Sequence, residues 1–156
     1  MDIKNINLVS NQVSEIILSY QPEIKLSDLP KITSSKEAYE LLIGNWDQSK
    51  LRFIEQFKVM LLNRANKVLG IVNISTGGIS GTVADPKLIF ASALKTNSSA
   101  IILSHNHPSG NRMPSRTDRI LTKKIVELGV LMELPVIDHI IVTSESYYSF
   151  SDEGGL

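Results

Sequence analysis

One short stretch limits what this chain can become. Residues 99 to 104 place Ala-Ile-Ile-Leu between serines, and His105-Asn106-His107-Pro108 follows at once. A run this short and this apolar, bounded by turn-forming residues, reads as a buried strand. A buried strand has to be covered, so other strands and helices must surround it. The rest of the chain offers them. Phe57 to Leu62 and Val68 to Ile74 are apolar runs around Asn63-Arg64-Ala65-Asn66-Lys67, which predicts a hairpin. Val136 to Thr143 is a further strong strand. Asp85-Pro86 reads as helix cap and first helical position, opening a helix to about Asn97. Ser115 opens another, with Leu121, Ile125, Leu128 and Met132 at helical spacing across Gly129, to about Glu133. Helices and strands that alternate in this way predict an α/β fold: a mixed β-sheet flanked by helices.

The N-terminal part is different. Ile6, Val9, Val13, Ile16, Ile17 and Tyr20 approach a helical stripe over residues 3 to 20. Residues 21 to 33 hold Pro22 and Pro30 and have no period, as a linker does. Residues 1-33 are therefore expected to be an N-terminal helix and linker, and 34-156 the main domain. That domain opens on Ser34-Ser35-Lys36-Glu37, a capping box, with Tyr39, Leu42, Ile43 and Trp46 on one helix face behind it. Gly77, Gly78 and Gly81 mark a loop or a bulged strand.

Chemistry gathers at the end of the buried strand. The chain has three histidines, and His105 and His107 are two of them. If the chain stays extended there, alternation puts both rings on one side. Ten residues separate His107 from Asp118, and Pro108, Gly110 and Pro114 make that connection a stiff turn. With Ser115 as helix cap, Asp118 is the third helical residue, and a side chain in the first turn leans back toward the helix start. Two imidazoles and a carboxylate then converge. Three such protein ligands and an open position are the pattern of a catalytic zinc site. The alternative is a histidine pair bonded to the loop, with Asp118 only closing a capping box.

Composition removes other readings. There are no cysteines, which excludes disulfides, thiolate metal sites and thiol nucleophiles. Sixteen basic residues balance sixteen acidic ones, so nucleic-acid binding through bulk charge is not expected. No apolar run approaches the roughly 18 residues of a membrane span, and the first residues show no signal pattern. A cytoplasmic location is the expectation, with no membrane partner.

His105-Asn106-His107-Pro108 followed by Ser115-Arg116-Thr117-Asp118 resembles the signature of the JAMM (MPN/JAB) metalloprotease superfamily. The longer string from His105 to Gly110 with Pro114-Ser115, together with Glu55-Gln56-Phe57, Leu61-Leu62-Asn63, Leu94, Asp138-His139-Ile140-Ile141-Val142 and Ser149, is similar to the RadC branch. The resemblance covers about residues 34–156. It implies a JAMM/MPN (cytidine-deaminase-like) domain holding one Zn2+ per chain, with His105, His107 and Asp118 as ligands. It further implies Glu55 as general base on a zinc-activated water and Ser115 as the hydroxyl that stabilises the oxyanion. The activity implied is hydrolysis of a peptide or isopeptide bond. The competing implication is a DNA-repair or recombination accessory protein that binds nucleic acid or repair partners, with zinc structural. Many relatives carry an N-terminal helix-hairpin-helix module, which residues 1–33 are too short to form. The loop reads Gly110-Asn111-Arg112-Met113-Pro114, where relatives often have an Asp and a Thr.

Three further features invite a role. Asp138 and His139 interrupt an apolar strand, either as a partner that orients a ligand imidazole or as a satisfied polar pair. Asn106 is kept as a possible substrate contact. Arg112, Arg116, Arg119, Lys123 and Lys124 cluster, and Arg116, Arg119 and Lys123 share a helix face. That face is expected to be solvated; at most it makes a weak nucleic-acid contact. Oligomeric state has no signal in the sequence.

Overall fold

The computed structural model describes residues 13–77 and 83–156. Five strands form one mixed sheet: β1 (Gln56–Leu62), β2 (Val68–Thr76), β3 (Ala100–Asn106), β4 (Val136–Val142) and β5 (Tyr147–Ser149). Their order across the sheet is β2-β1-β3-β4-β5. Only β3 and β4 run parallel; the other neighbours are antiparallel. A parallel pair needs a long crossover, and α4 (Arg116–Leu131) supplies it. Among the described residues the other α-helices are α1 (Ser35–Gly44), α2 (Gln48–Leu51) and α3 (Pro86–Lys95), and Leu26–Asp28 form a short 3-10 helix.

Alternation along the strands divides the core into two layers. Met60, Leu62, Ile102, Ile140 and Val142 pack with Ala38 and Leu42 of α1, and with Trp46 and Leu51. Phe57, Val59, Leu61, Ile101 and Leu103 pack with Ile89, Phe90 and Ala93 of α3 and Ile125 of α4. Both faces of β3 are therefore covered, and all seven of its residues are buried. This is why its sequence reads as an unbroken apolar run rather than an alternating one.

Local signals did their expected work. Ser34 caps α1 by accepting the Glu37 N–H at 3.2 Å. The expected reciprocal arm shifts by one residue, since Glu37 accepts the N–H of Thr33 at 2.6 Å. In the β1–β2 hairpin, Asn63 Oδ1 accepts the N–H groups of Ala65 and Lys67, and Asn66 takes a left-handed turn at φ 58°. Gly129 sits inside α4 because the chain folds back closely there. A Cβ at that position would lie 2.5 Å from the Leu134 carbonyl oxygen.

The N-terminal expectation differs from the structure. Residues 14–20 form no helix, and Ile16, Ile17 and Leu18 are exposed. Residues 3 to 12 of the expected helix lie outside the described residues, as do Gly78 and Gly81. An amphipathic stripe stabilises a helix only when its apolar face is covered, because short isolated helices are marginal in water. Among the described residues, no helix is long and apolar enough to cross a membrane.

Candidate metal centre

β3 runs three residues past its apolar part, through His105 to Asn106, and His107 follows directly. Its odd-numbered side chains Ile101 and Leu103 face α3 and α4, so His105 emerges on the same side. α4 begins beside it. Ser115 Oγ accepts the Asp118 N–H at 3.1 Å, and Asp118 Oδ2 accepts the Ser115 N–H at 2.7 Å. This reciprocal cap holds the carboxylate at the helix start. Asp118 Oδ1 lies 3.3 Å from His105 Nε2, and Oδ2 lies 3.4 Å from His107 Nε2. The two Nε2 atoms are 3.0 Å apart. One carboxylate closes the capping box and also stands beside both imidazoles, so the two readings of the sequence do not exclude each other.

The donor set fits a metal ion. His107 Nδ1 is 2.7 Å from the Asn111 carbonyl oxygen, which can only accept. Its proton is therefore on Nδ1, and its Nε2 offers a lone pair to the cluster. One ligand atom from each of His105, His107 and Asp118 falls within 4.8 Å of the others. A positive charge between atoms gathered this closely, a ring proton or a metal ion, is favoured. Imidazole nitrogen and carboxylate oxygen are the donors that borderline divalent ions such as Zn2+ take.

The electrostatics agree. Burial works to raise the pKa of Asp118, but the two imidazoles and the Ser115 N–H outweigh it and hold the carboxyl far below its usual range. Burial works to lower that of His107, yet Asp118, the Asn111 carbonyl and Glu55 prevail, and it is raised. The spot favours added positive charge.

Around this cluster, Glu55, His107, Pro108, Ser109, Met113 and Ser115 line a cleft of about 470 Å³. Glu55 is half-buried and stands just before β1. It is brought there by Asn106, whose alternation puts it on the opposite face of β3 from His105. Asn106 Oδ1 accepts the Gln56 N–H at 2.7 Å, and its Nδ2 donates to the carbonyls of Leu51 and Ile54 at 2.8 and 2.9 Å. The side chain is fully buried. This corrects the reading of Asn106 as a substrate contact: its polar atoms are spent holding the segment that carries Glu55.

β4 contributes a part that the sequence left open. Leu103 pairs with His139 in the parallel register, which sets the His139 ring next to His105. His105 Nδ1 is 2.8 Å from His139 Nε2, and His139 Nδ1 is 2.6 Å from Thr122 Oγ1 of α4. Phe150 stacks on the His139 ring, and Phe57 meets it edge-on. Burial, with His105 and His107 adding to it, keeps the His139 pKa well below that of a free histidine, so the ring is neutral. Asp138 faces away and is satisfied by Ser149 Oγ and the N–H groups of His139 and Ser151. Thr122 escaped the sequence reading altogether, because its only signal was a polar residue on the apolar side of α4.

The basic stripe is partly engaged. Arg112 donates to the Tyr147 carbonyl at 3.2 Å, Arg119 lies over the Phe150 ring, and Lys123 approaches Glu127 at 3.9 Å. Arg116 and Lys124 are exposed.

Comparison with known proteins decides the family. The family model of the RadC-like JAB domain matches residues 32–156. The chain belongs to that family. The chain is 43% identical over 129 residues to a UPF0758 protein of Flavobacterium johnsoniae, covering 81% of this chain and 54% of that protein. It is 41% identical to a UPF0758 protein of Alkaliphilus metalliredigens over 113 residues, 71% of this chain and 49% of the relative. A UPF0758 protein of Methanosarcina mazei is 37% identical over 124 residues, 80% and 53% of the two chains. The chain spans about half the length of the curated relatives it matches.

Proposed function

We propose that this domain is a zinc-dependent hydrolase of the JAMM type, acting on a peptide or isopeptide amide, with one Zn2+ per chain on His105, His107 and Asp118. The observation that supports it is the convergence of two imidazole nitrogens and a carboxylate beside an open cleft that also holds Glu55. Zinc bound there would supply Lewis acidity, bringing a water pKa to about 7 and polarising a carbonyl. The chain's own residues do the rest. Glu55 takes the proton from the attacking water and hands it to the leaving amine. Ser115 Oγ already accepts the Asp118 N–H, so its own proton is directed elsewhere, toward the oxyanion that develops in the cleft. Pro108, Met113 and Pro114 give that cleft apolar walls, which strengthen both interactions.

The test has two parts. Elemental analysis of purified protein should find one zinc per chain, and a peptide and isopeptide panel should reveal turnover that Glu55→Gln abolishes while keeping zinc and fold. A wild-type protein without metal, indifferent to added Zn2+, overturns the reading. Loss of zinc in Glu55→Gln would make Glu55 a ligand rather than the base.

A further inference from the structure

We propose that Thr122 and His139 are positioning residues that fix which nitrogen of His105 faces the metal; this rests on the metal-site reading above. Thr122 Oγ1 has one hydrogen, and it lies 2.6 Å from the Asp118 carbonyl oxygen, which can only accept. The hydroxyl hydrogen is therefore used there. The same oxygen is 2.6 Å from His139 Nδ1, so in that contact it must accept, and His139 carries its proton on Nδ1.

His139 has no exposed surface and lies between the Phe57 and Phe150 rings. A neutral imidazole holds one N–H, so its Nε2 is a bare acceptor. The atom 2.8 Å away is His105 Nδ1, which must donate to it. His105 thus keeps its proton on Nδ1 and turns the Nε2 lone pair toward His107 and Asp118. Reversing any one bond would place the His105 proton on Nε2, where the metal has to sit. His107 reaches the same state through the Asn111 carbonyl. The two ligand histidines are set alike by different means: one by a local loop, the other by a chain through two elements of the fold. Thr122 also ties the set together, since its hydroxyl bonds the backbone of the third ligand, Asp118.

The experiment uses nitrogen-15-labelled histidine. Two-bond nitrogen–proton spectra of the metal-free protein separate a protonated ring nitrogen from a bare one. His139 should be protonated on Nδ1 in wild type and in Thr122→Ser, which keeps the hydroxyl. In Thr122→Val, which keeps the shape and loses the oxygen, the proton should move to Nε2. Zn2+ affinity, read by competition with a chromophoric chelator, should fall about 10–100-fold in Thr122→Val, the usual loss for an outer partner of a metal ligand, and stay near wild type in Thr122→Ser. His139 protonated on Nε2 in wild type overturns the proposal, and that spectrum decides it even if Thr122→Val does not fold. Equal Zn2+ affinity in wild type and a folded Thr122→Val also overturns it. A wild type that takes up no Zn2+ refutes the metal-site reading instead, and the wild-type spectrum still decides the relay.

Discussion

Asp118 holds a helix cap and offers a metal ligand with the same carboxylate, and two substitutions separate these roles. Asp118→Asn keeps an oxygen that can accept the Ser115 N–H, now 2.7 Å from Oδ2, but removes the charge. Asp118→Ala removes both. The cap is local, and losing such an acceptor costs about 1 kcal/mol. In a domain of this size that lowers the melting temperature by roughly 2–4 °C. The metal term is larger. Zn2+ at a hundred times its dissociation constant stabilises the folded state by about 2.7 kcal/mol. At roughly 2–4 °C per kcal/mol, wild type should gain about 5–11 °C on zinc addition. With only His105 and His107 left, both variants should lose most of that gain. The assay is thermal unfolding by circular dichroism, on chelator-stripped protein with and without Zn2+. Without metal, Asp118→Ala should melt below Asp118→Asn by the cap term. A zinc-induced rise in Asp118→Asn equal to that of wild type would refute the assignment of Asp118 as ligand, and no rise in wild type would refute the site.

The metal-free protein should show two opposed pH limbs. His107 has its pKa raised in the fold, so its contribution is complete below the free value of 6.5 and is lost as pH rises through the folded value. His139 has its pKa lowered, so its contribution is present above 6.5 and is lost as pH falls toward the folded value. Urea midpoints of stripped protein should thus decline on both sides, and Asp118→Asn should flatten the alkaline limb; an unchanged alkaline limb contradicts the pairing. Gly129→Ala should destabilise by about 1–3 kcal/mol through overpacking, outweighing the gain of about 1 kcal/mol in helix propensity, because the new Cβ meets a backbone oxygen that cannot step aside. A urea midpoint at or above wild type would show that the α4–β4 connection yields. Nucleic-acid binding should be weak and salt-sensitive, and Arg116→Ala/Arg119→Ala/Lys123→Ala should flatten the salt slope by about one unit per charge in contact. Tight binding that survives high salt in the triple variant would move the DNA-accessory reading ahead.

The features written into short stretches could be read directly. Ser115 and Asp118 are three residues apart, and that spacing alone makes the reciprocal cap and aims the carboxylate at the helix start. The apolar run of β3 announces burial on both faces, and strand alternation puts His105 and His107 together. The motif they form carried the family resemblance. An apolar stripe, by contrast, states only that a helix could form; residues 14–20 show one without a surface to cover it.

What depended on distant partners stayed hidden. Asn106 reaches Leu51, Ile54 and Gln56, at least 50 residues away along the chain, and so became the support of Glu55 rather than a substrate contact. His139 and Thr122 meet His105 only because β4 lies parallel to β3 with Leu103 opposite His139, and because α4 crosses over that pair. A one-residue slip in that register would turn the His139 ring to the other face of the sheet. Sequence periods of two and 3.6 assign each side chain to a face of its own element. Which face of which neighbour it meets is set by strand order and register, and these come from packing the whole core. The sequence by itself determined which three side chains meet at the end of β3, and the tertiary structure decided what holds each of them in place.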